Sequence, residues 1–133
     1  MTRSTVTAPD APAPVGPYSH AASGAGGALY LSGQTPIDPA TGALVEGGIE
    51  VQTRRVFANL ESVLGAAGRS FADVVKVTVF LLDMRDFAAM NSVYESVFTS
   101  PYPARTTVAV AGLPLGARVE IELVARVSAR PGT

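Results

Sequence analysis

Cysteine is absent from all 133 residues. That removes disulfides, thiolate nucleophiles and cysteine metal ligands together, and it fits an intracellular setting. Histidine occurs once, at His20, so a histidine-rich metal centre is excluded. Charge is sparse and balanced: nine arginines and one lysine face 11 acidic residues, for a net charge of −1. A protein built to coat nucleic acid would be basic, which argues against nucleic acid as a partner. No apolar run approaches the roughly 20 residues that span a bilayer, and the first residues lack the apolar core of a signal peptide. The expectation is a soluble, cytoplasmic chain with no membrane partner. No Ser/His/Asp arrangement, P-loop or dinucleotide fingerprint is present, which disfavours cofactor chemistry. Apolar residues are plentiful, at 47% against 16% charged. That is more than a small soluble monomer usually covers, and it points to an oligomer.

Residues 1–13, rich in Ala, Pro and Thr without a period, read as a flexible arm, and residues 14–133 as a single domain. Residues 15–34 read as a hairpin turning through Gly24, Gly26 and Gly27, and residues 36–48 as a surface loop. The spacing of Val56, Phe57, Leu60, Val63, Leu64 and Ala67 predicts a helix over 49–67, with Gly68 at its C-terminal cap. Residues 74–82 are β-branched and almost continuously apolar, as in a central strand covered on both faces. A second helix starts near Asp83 or Asp86 and buries Phe87, Met90, Tyr94, Val97 and Phe98. Pro101 and Pro103 end it. The order strand, strand, helix, strand, helix, strand, strand predicts an α+β fold, one sheet with both helices on a single face.

Residues 102–127 hold the charge that most needs explaining. Val119, Ile121, Leu123, Ala125 and Val127 alternate with Arg118, Glu120, Glu122 and Arg126, the period of a half-buried strand. Before them, Thr106, Val108 and Val110 share one face, and Arg105, Thr107 and Ala109 the other. The connector from Gly112 to Gly116 carries turn residues that would fold the two runs into an antiparallel hairpin. In that register Arg105 and Glu120 share the uncovered face, their α-carbons about 13 Å apart at strand rise. One reading makes them solvated charges in weak ion pairs, each worth about 0 to 1 kcal/mol. The other makes them a site, since a guanidinium grips a carboxylate with two parallel bonds and a carboxylate deprotonates or orients water. Spacing leaves both open. Tyr18 and Asn91 are further candidates, and Ser32 and Gly33 present backbone amides at a strand end. His20 reads as a turn histidine.

A set of short motifs goes further: APVGPYS at 13–19, LSGQ at 31–34, VTVFLLD at 77–83, NSVYE at 91–95, PARTTV at 103–108 and LPLGARVEIE at 113–122. Together, from about Pro12 to Val127, the sequence resembles the RidA/YjgF/UK114 family of reactive-intermediate deaminases. The resemblance implies a chorismate-mutase-like (YjgF-like) α+β fold, a homotrimer, and ligand sites in the clefts between subunits. It implies hydrolysis of 2-imino acids or their enamine tautomers, such as 2-iminopropanoate and 2-iminobutanoate, to 2-oxo acids and ammonia, without a cofactor or metal. It matches Arg105 to the arginine that binds the substrate carboxylate and Glu120 to the glutamate that positions the attacking water. Tyr18, Ser32, Gly33, Asn91 and Thr107 match other residues of the cleft, Thr107 standing where many relatives have cysteine. The competing reading is a non-catalytic trimer that binds a small carboxylate and regulates or chaperones a partner. An RNA-cleaving role, attributed to some relatives, is opposed by the net charge.

Overall fold

The computed structural model describes residues 3–24 and 26–127. In chain order these form strands β1 (Ser4–Val6), β2 (Ala21–Ser23) and β3 (Leu29–Gln34), helix α1 (Ile49–Ala66), strand β4 (Val74–Leu81), helix α2 (Phe87–Val97), and strands β5 (Ala104–Ala109) and β6 (Val119–Ala125). Both helices stand where the apolar spacing predicts them. Gly68, at φ +72°, supplies the left-handed turn that stops α1, a conformation glycine adopts without steric cost. None of the helices among the described residues is long and apolar enough to cross a membrane.

The strands make one six-stranded sheet in the order β1-β2-β3-β6-β4-β5. Strand β6 runs antiparallel to both neighbours, β3 and β4, while β5 is parallel to β4. Parallel neighbours need a crossover connection rather than a tight turn, and α2 provides the one between β4 and β5. The fold is therefore α+β with a mixed sheet and two helices. Val77, Val79, Leu81, Val119, Ile121 and Leu123 on one face are 0 to 1% exposed. They pack beneath Val56, Leu60, Val63 and Met90, which are also fully buried. On the opposite face Lys76, Thr78, Phe80, Glu120 and Glu122 all keep contact with solvent. Both helices thus cover the same face, and β4 is covered on one side only, where its apolar run predicts two.

The hairpin expected from residues 102–127 does not form. Strands β5 and β6 are separated by β4, and residues Pro114–Gly116 make a short 3-10 turn. Two physical facts favour this arrangement. The inner face of β6 is buried along its whole length, which suits a strand paired on both sides. Strand β5 follows Pro101 and Pro103, which cannot donate to a ladder and are tolerated at a sheet edge. The register then overturns the shared face of Arg105 and Glu120. Arg105 pairs with Val77 of β4, and Glu120 pairs with Phe80. Paired residues project to the same side and side chains alternate along a strand, so an odd offset of three along β4 puts the two on opposite faces. Arg105 lies on the helix side, and Glu120 and Glu122 on the open side.

The segment expected as a flexible arm, residues 1–13, is built into the sheet where it is described. Strand β1 pairs with β2, and Ala8 and Ala11 are buried in the core. His20 fastens it. This buried ring accepts a hydrogen bond at Nδ1 from the Ala8 amide (2.9 Å), while Nε2 lies 2.7 Å from the Pro12 carbonyl. A carbonyl only accepts, so Nε2 is the nitrogen that donates and Nδ1 the one that accepts. Met1 and Thr2 lie outside the described residues.

Candidate functional site

Arg105 comes from the edge strand β5 and projects under α2. Its Nη1 donates to Asn91 Oδ1 at 2.7 Å. Its guanidinium carbon lies 4.5 Å from the centroid of the Tyr94 ring and 5.5 Å from that of Phe87, close enough for cation–π attraction. Phe87, Asn91 and Tyr94 sit four and three residues apart, so they share one face of α2. They hold the guanidinium by its plane and by one N–H, leaving its other N–H groups toward a pocket also bordered by Tyr102, Pro103 and Glu95. Thr107, two residues on, shares the face of Arg105, opposite Val79. The Thr107 Oγ1 and Tyr94 OH are buried with no hydrogen-bond partner among the described residues. Burial raises the Tyr94 pKa, partly offset by the neighbouring Arg105 charge. Unpaired buried hydroxyls are costly, and here both belong to residues around the arginine.

Glu120 belongs to a second locus on the other face. Between Leu31 and Gln34 the pairing of β3 with β6 slips, so three steps along β3 match two along β6, from Leu123 to Ile121. This bulge holds Ser32 and Gly33, and bulges re-aim groups near sites. Gly33 lies against the Glu120 carboxylate: a Cβ on it would stand 2.2 Å from Oε2. The Ser32 hydroxyl donates to the Ser19 carbonyl at 2.6 Å and the Ser32 amide to the His20 carbonyl at 3.0 Å. These bonds fix the segment that carries Tyr18 over the same cleft. Burial, followed by the like charge of Glu122, raises the Glu120 pKa. Its carboxylate takes part in no hydrogen bond or ion pair among the described residues.

The seven candidates therefore divide. Arg105, Asn91 and Thr107 stand on the helix side of β5 and α2, while Tyr18, Ser32, Gly33 and Glu120 gather on the open side of β3 and β6. One chain does not bring the two sets together. The 13 Å separation belonged to the hairpin register and lapses with it. Sequence reasoning assigned Phe87 and Tyr94 to the core and missed their grip on Arg105. The signal was their helical spacing around Asn91. It also missed Asn59, fully buried on α1, which donates to the carbonyls of Thr35 and Ile37 and so holds one wall of the Glu120 cleft. Among the described residues no cluster of three or more His, Cys, Asp or Glu side chains is placed to hold a metal ion.

Residues 8–127 match the family model described as Endoribonuclease L-PSP. The chain belongs to the RidA/YjgF/L-PSP family. A 2-iminobutanoate/2-iminopropanoate deaminase of Capra hircus is 45% identical over 125 residues, 94% of this chain and 90% of that protein. The crystal structure of RidA from the Antarctic bacterium Psychrobacter sp. superposes with a TM-score of 0.88 at 44% identity, covering 93% of this chain and 99% of that one. That of E. coli TdcF with bound serine does so at 0.86 and 36% identity, covering 94% and 99%. In this RidA-family chain, the half-buried Glu120 and the stacked Arg105 are the groups whose surroundings ask most for an external partner.

Proposed function

We propose that the protein hydrolyses 2-imino acids and their enamine tautomers to 2-oxo acids and ammonia, in sites completed between the copies of a homotrimer. One observation carries this reading: a half-buried carboxylate, Glu120, faces a cleft with no cation beside it among the described residues, while the guanidinium suited to a substrate carboxylate lies on the opposite face of the same sheet. A charge is left in such a place at a cost, and functional sites are where that cost is tolerated. A second copy that brings its Arg105 pocket against the Glu120 cleft would answer both. The relatives named 2-iminobutanoate/2-iminopropanoate deaminases support the reaction. The serine bound to E. coli TdcF supports a ligand that carries a carboxylate and a nitrogen on the same carbon.

The chemistry asked of the site is small. Arg105 holds the carboxylate through two N–H groups and, with Asn91 and the Thr107 hydroxyl around it, fixes C2 near a water on Glu120. Positioning removes much of the entropic barrier. Glu120 takes a proton from that water as its oxygen bonds to C2 and the imine nitrogen gains one, giving a carbinolamine. The hydroxyl proton then passes by way of Glu120 to the nitrogen as the C2–O double bond forms and the C2–N bond breaks, releasing ammonia. Imino acid and water become 2-oxo acid and ammonia. A pKa raised by burial strengthens Glu120 as a base at neutral pH. An imine is electrophilic and hydrolyses unaided, so general-base assistance of roughly 10² to 10⁴-fold is sufficient.

Arg105→Ala is expected to abolish accelerated ammonia release from enzymatically generated 2-iminopropanoate while the oligomer persists by size-exclusion chromatography. Glu120→Gln is expected to keep 2-oxo acid binding and slow turnover. Undiminished turnover in either variant removes that residue from the mechanism. A wild-type protein that binds 2-oxo acids without accelerating imine loss is a carboxylate-binding oligomer instead.

A further inference from the structure

The cleft beside Glu120 has a lining of mixed chemistry: Glu120, Ser32 and the Gly33 backbone are polar, and Val15, Ile37 and Leu115 are apolar. It measures about 570 Å³, within the roughly 300 to 1,000 Å³ of pockets that hold drug-sized ligands. Within the single chain, 2-iminopropanoate would fill only part of it.

Leu115 is the unusual member of that lining. Among the described residues it alone of the non-glycines has positive φ, at φ 59° and ψ 16°. A side chain there crowds its own backbone, and such strain persists where something compensates for it, often at a binding site. Packing within the chain does not compensate, because Leu115 is 69% exposed there. Glycine would make the same turn without strain. What leucine adds is an apolar surface lining the same cleft as Val15, itself 88% exposed. With C2 held at Glu120, the apolar lining of the same cleft is where an aliphatic substituent on C2 would be buried.

We propose that Leu115, with Val15 and Ile37, forms a subsite for the substrate's side chain, and that the protein prefers 2-imino acids with branched or extended aliphatic side chains over 2-iminopropanoate. The proposal rests on the imine-hydrolysis reading for its choice of ligand, and its test separates the two. Calorimetry compares binding of the products 2-oxo-4-methylpentanoate and 2-oxopropanoate, and ammonia release from the two matching imines is followed in parallel. Apolar pockets discriminate by about tenfold or more per methylene, so the wild type is expected to bind the branched acid at least about tenfold tighter. Leu115→Gly and Leu115→Asn both suit a left-handed backbone and therefore fold. Each is expected to bring the affinity ratio close to one, and Leu115→Met to keep most of it. A wild-type ratio at or below one, or a ratio unchanged in both variants, overturns the subsite. A ratio that behaves as expected, with no accelerated ammonia release, upholds the subsite and overturns the deaminase reading.

Discussion

Burial of the Glu120 carboxyl raises its pKa, and Glu122 beside it adds to the effect. The folded chain therefore holds this proton at pH values where the unfolded chain has released it. Stability contributed by the group is full below the ordinary glutamate range, near pH 4.3, and is lost as pH rises through the folded-state value. At neutral pH the ionised carboxylate is thus a liability to the isolated fold, kept in a place where it can act as a base. Glu120→Gln removes the charge and nearly keeps the shape. It is expected to unfold at a higher urea midpoint than wild type at pH 7, with the gain vanishing below about pH 4, where both side chains are neutral. Urea titrations at the two pH values decide it, and a variant less stable than wild type at pH 7 contradicts the assigned direction. Arg105 shows the opposite economy: its aromatic neighbours and Asn91 hold the guanidinium in place while its remaining N–H groups stay available. Both residues were legible as unexplained charges in strands. Their surroundings were not, because Phe87 and Tyr94 carry the same apolar signal whether they fill a core or flank a cation.

At the scale of elements, local periodicity told the truth, and local turn chemistry did so at Gly68 but not at Pro114 and Gly116. Helix α1 and the alternation along β6 depend on side chains a few positions apart, so their pattern survives in the sequence. The place of β6 between β3 and β4 depends on pairings with residues far away in the chain, and Pro114 and Gly116 serve a 3-10 turn as well as a hairpin. The alternation in β5 correctly grouped Arg105 with Thr107. It could not say which group faced the helices, because both faces of an edge strand are mixed in polarity. The bulge in β3 was equally hidden: a glycine near a strand end is ordinary until its neighbour across the sheet is known. That neighbour makes the next expectation specific. In Gly33→Ala the new Cβ would meet Oε2, Cδ and Cγ of Glu120 at 2.2, 3.0 and 3.2 Å. The carboxylate is the free end of a half-exposed side chain, so it swings away and the fold absorbs the change. Turnover of 2-iminopropanoate is expected to fall by about 10²-fold, as for a displaced general base, while the thermal midpoint stays near that of wild type. Wild-type kcat in Gly33→Ala would mean that the Glu120 carboxylate does not act from where it lies.

The whole molecule turns on the separation of its two loci. The register puts Arg105 and Glu120 on opposite faces of one sheet, so no bending of side chains within a chain unites them. The family resemblance supplied the list of residues, and the topology divides that list between the two faces of the sheet. Exposed Tyr30 and Val108 and the half-covered Phe80 add apolar surface on the open face, in keeping with the apolar excess of the composition. Two inactive variants test the arrangement together. Arg105→Ala chains keep Glu120, and Glu120→Gln chains keep Arg105, so neither forms a complete site alone. In a cyclic trimer with each site made of Arg105 from one copy and Glu120 from the next, random assembly of the two in equal amounts gives an intact pair at about one site in four. Co-expression under two affinity tags, with both tags required in purification, enriches the mixed assemblies. Imine hydrolysis is expected to return to at least about a quarter of the wild-type rate per site, while each variant purified alone stays inactive. If the reacting groups came from one chain, mixing would restore nothing, because every chain in the mixture would lack one of them.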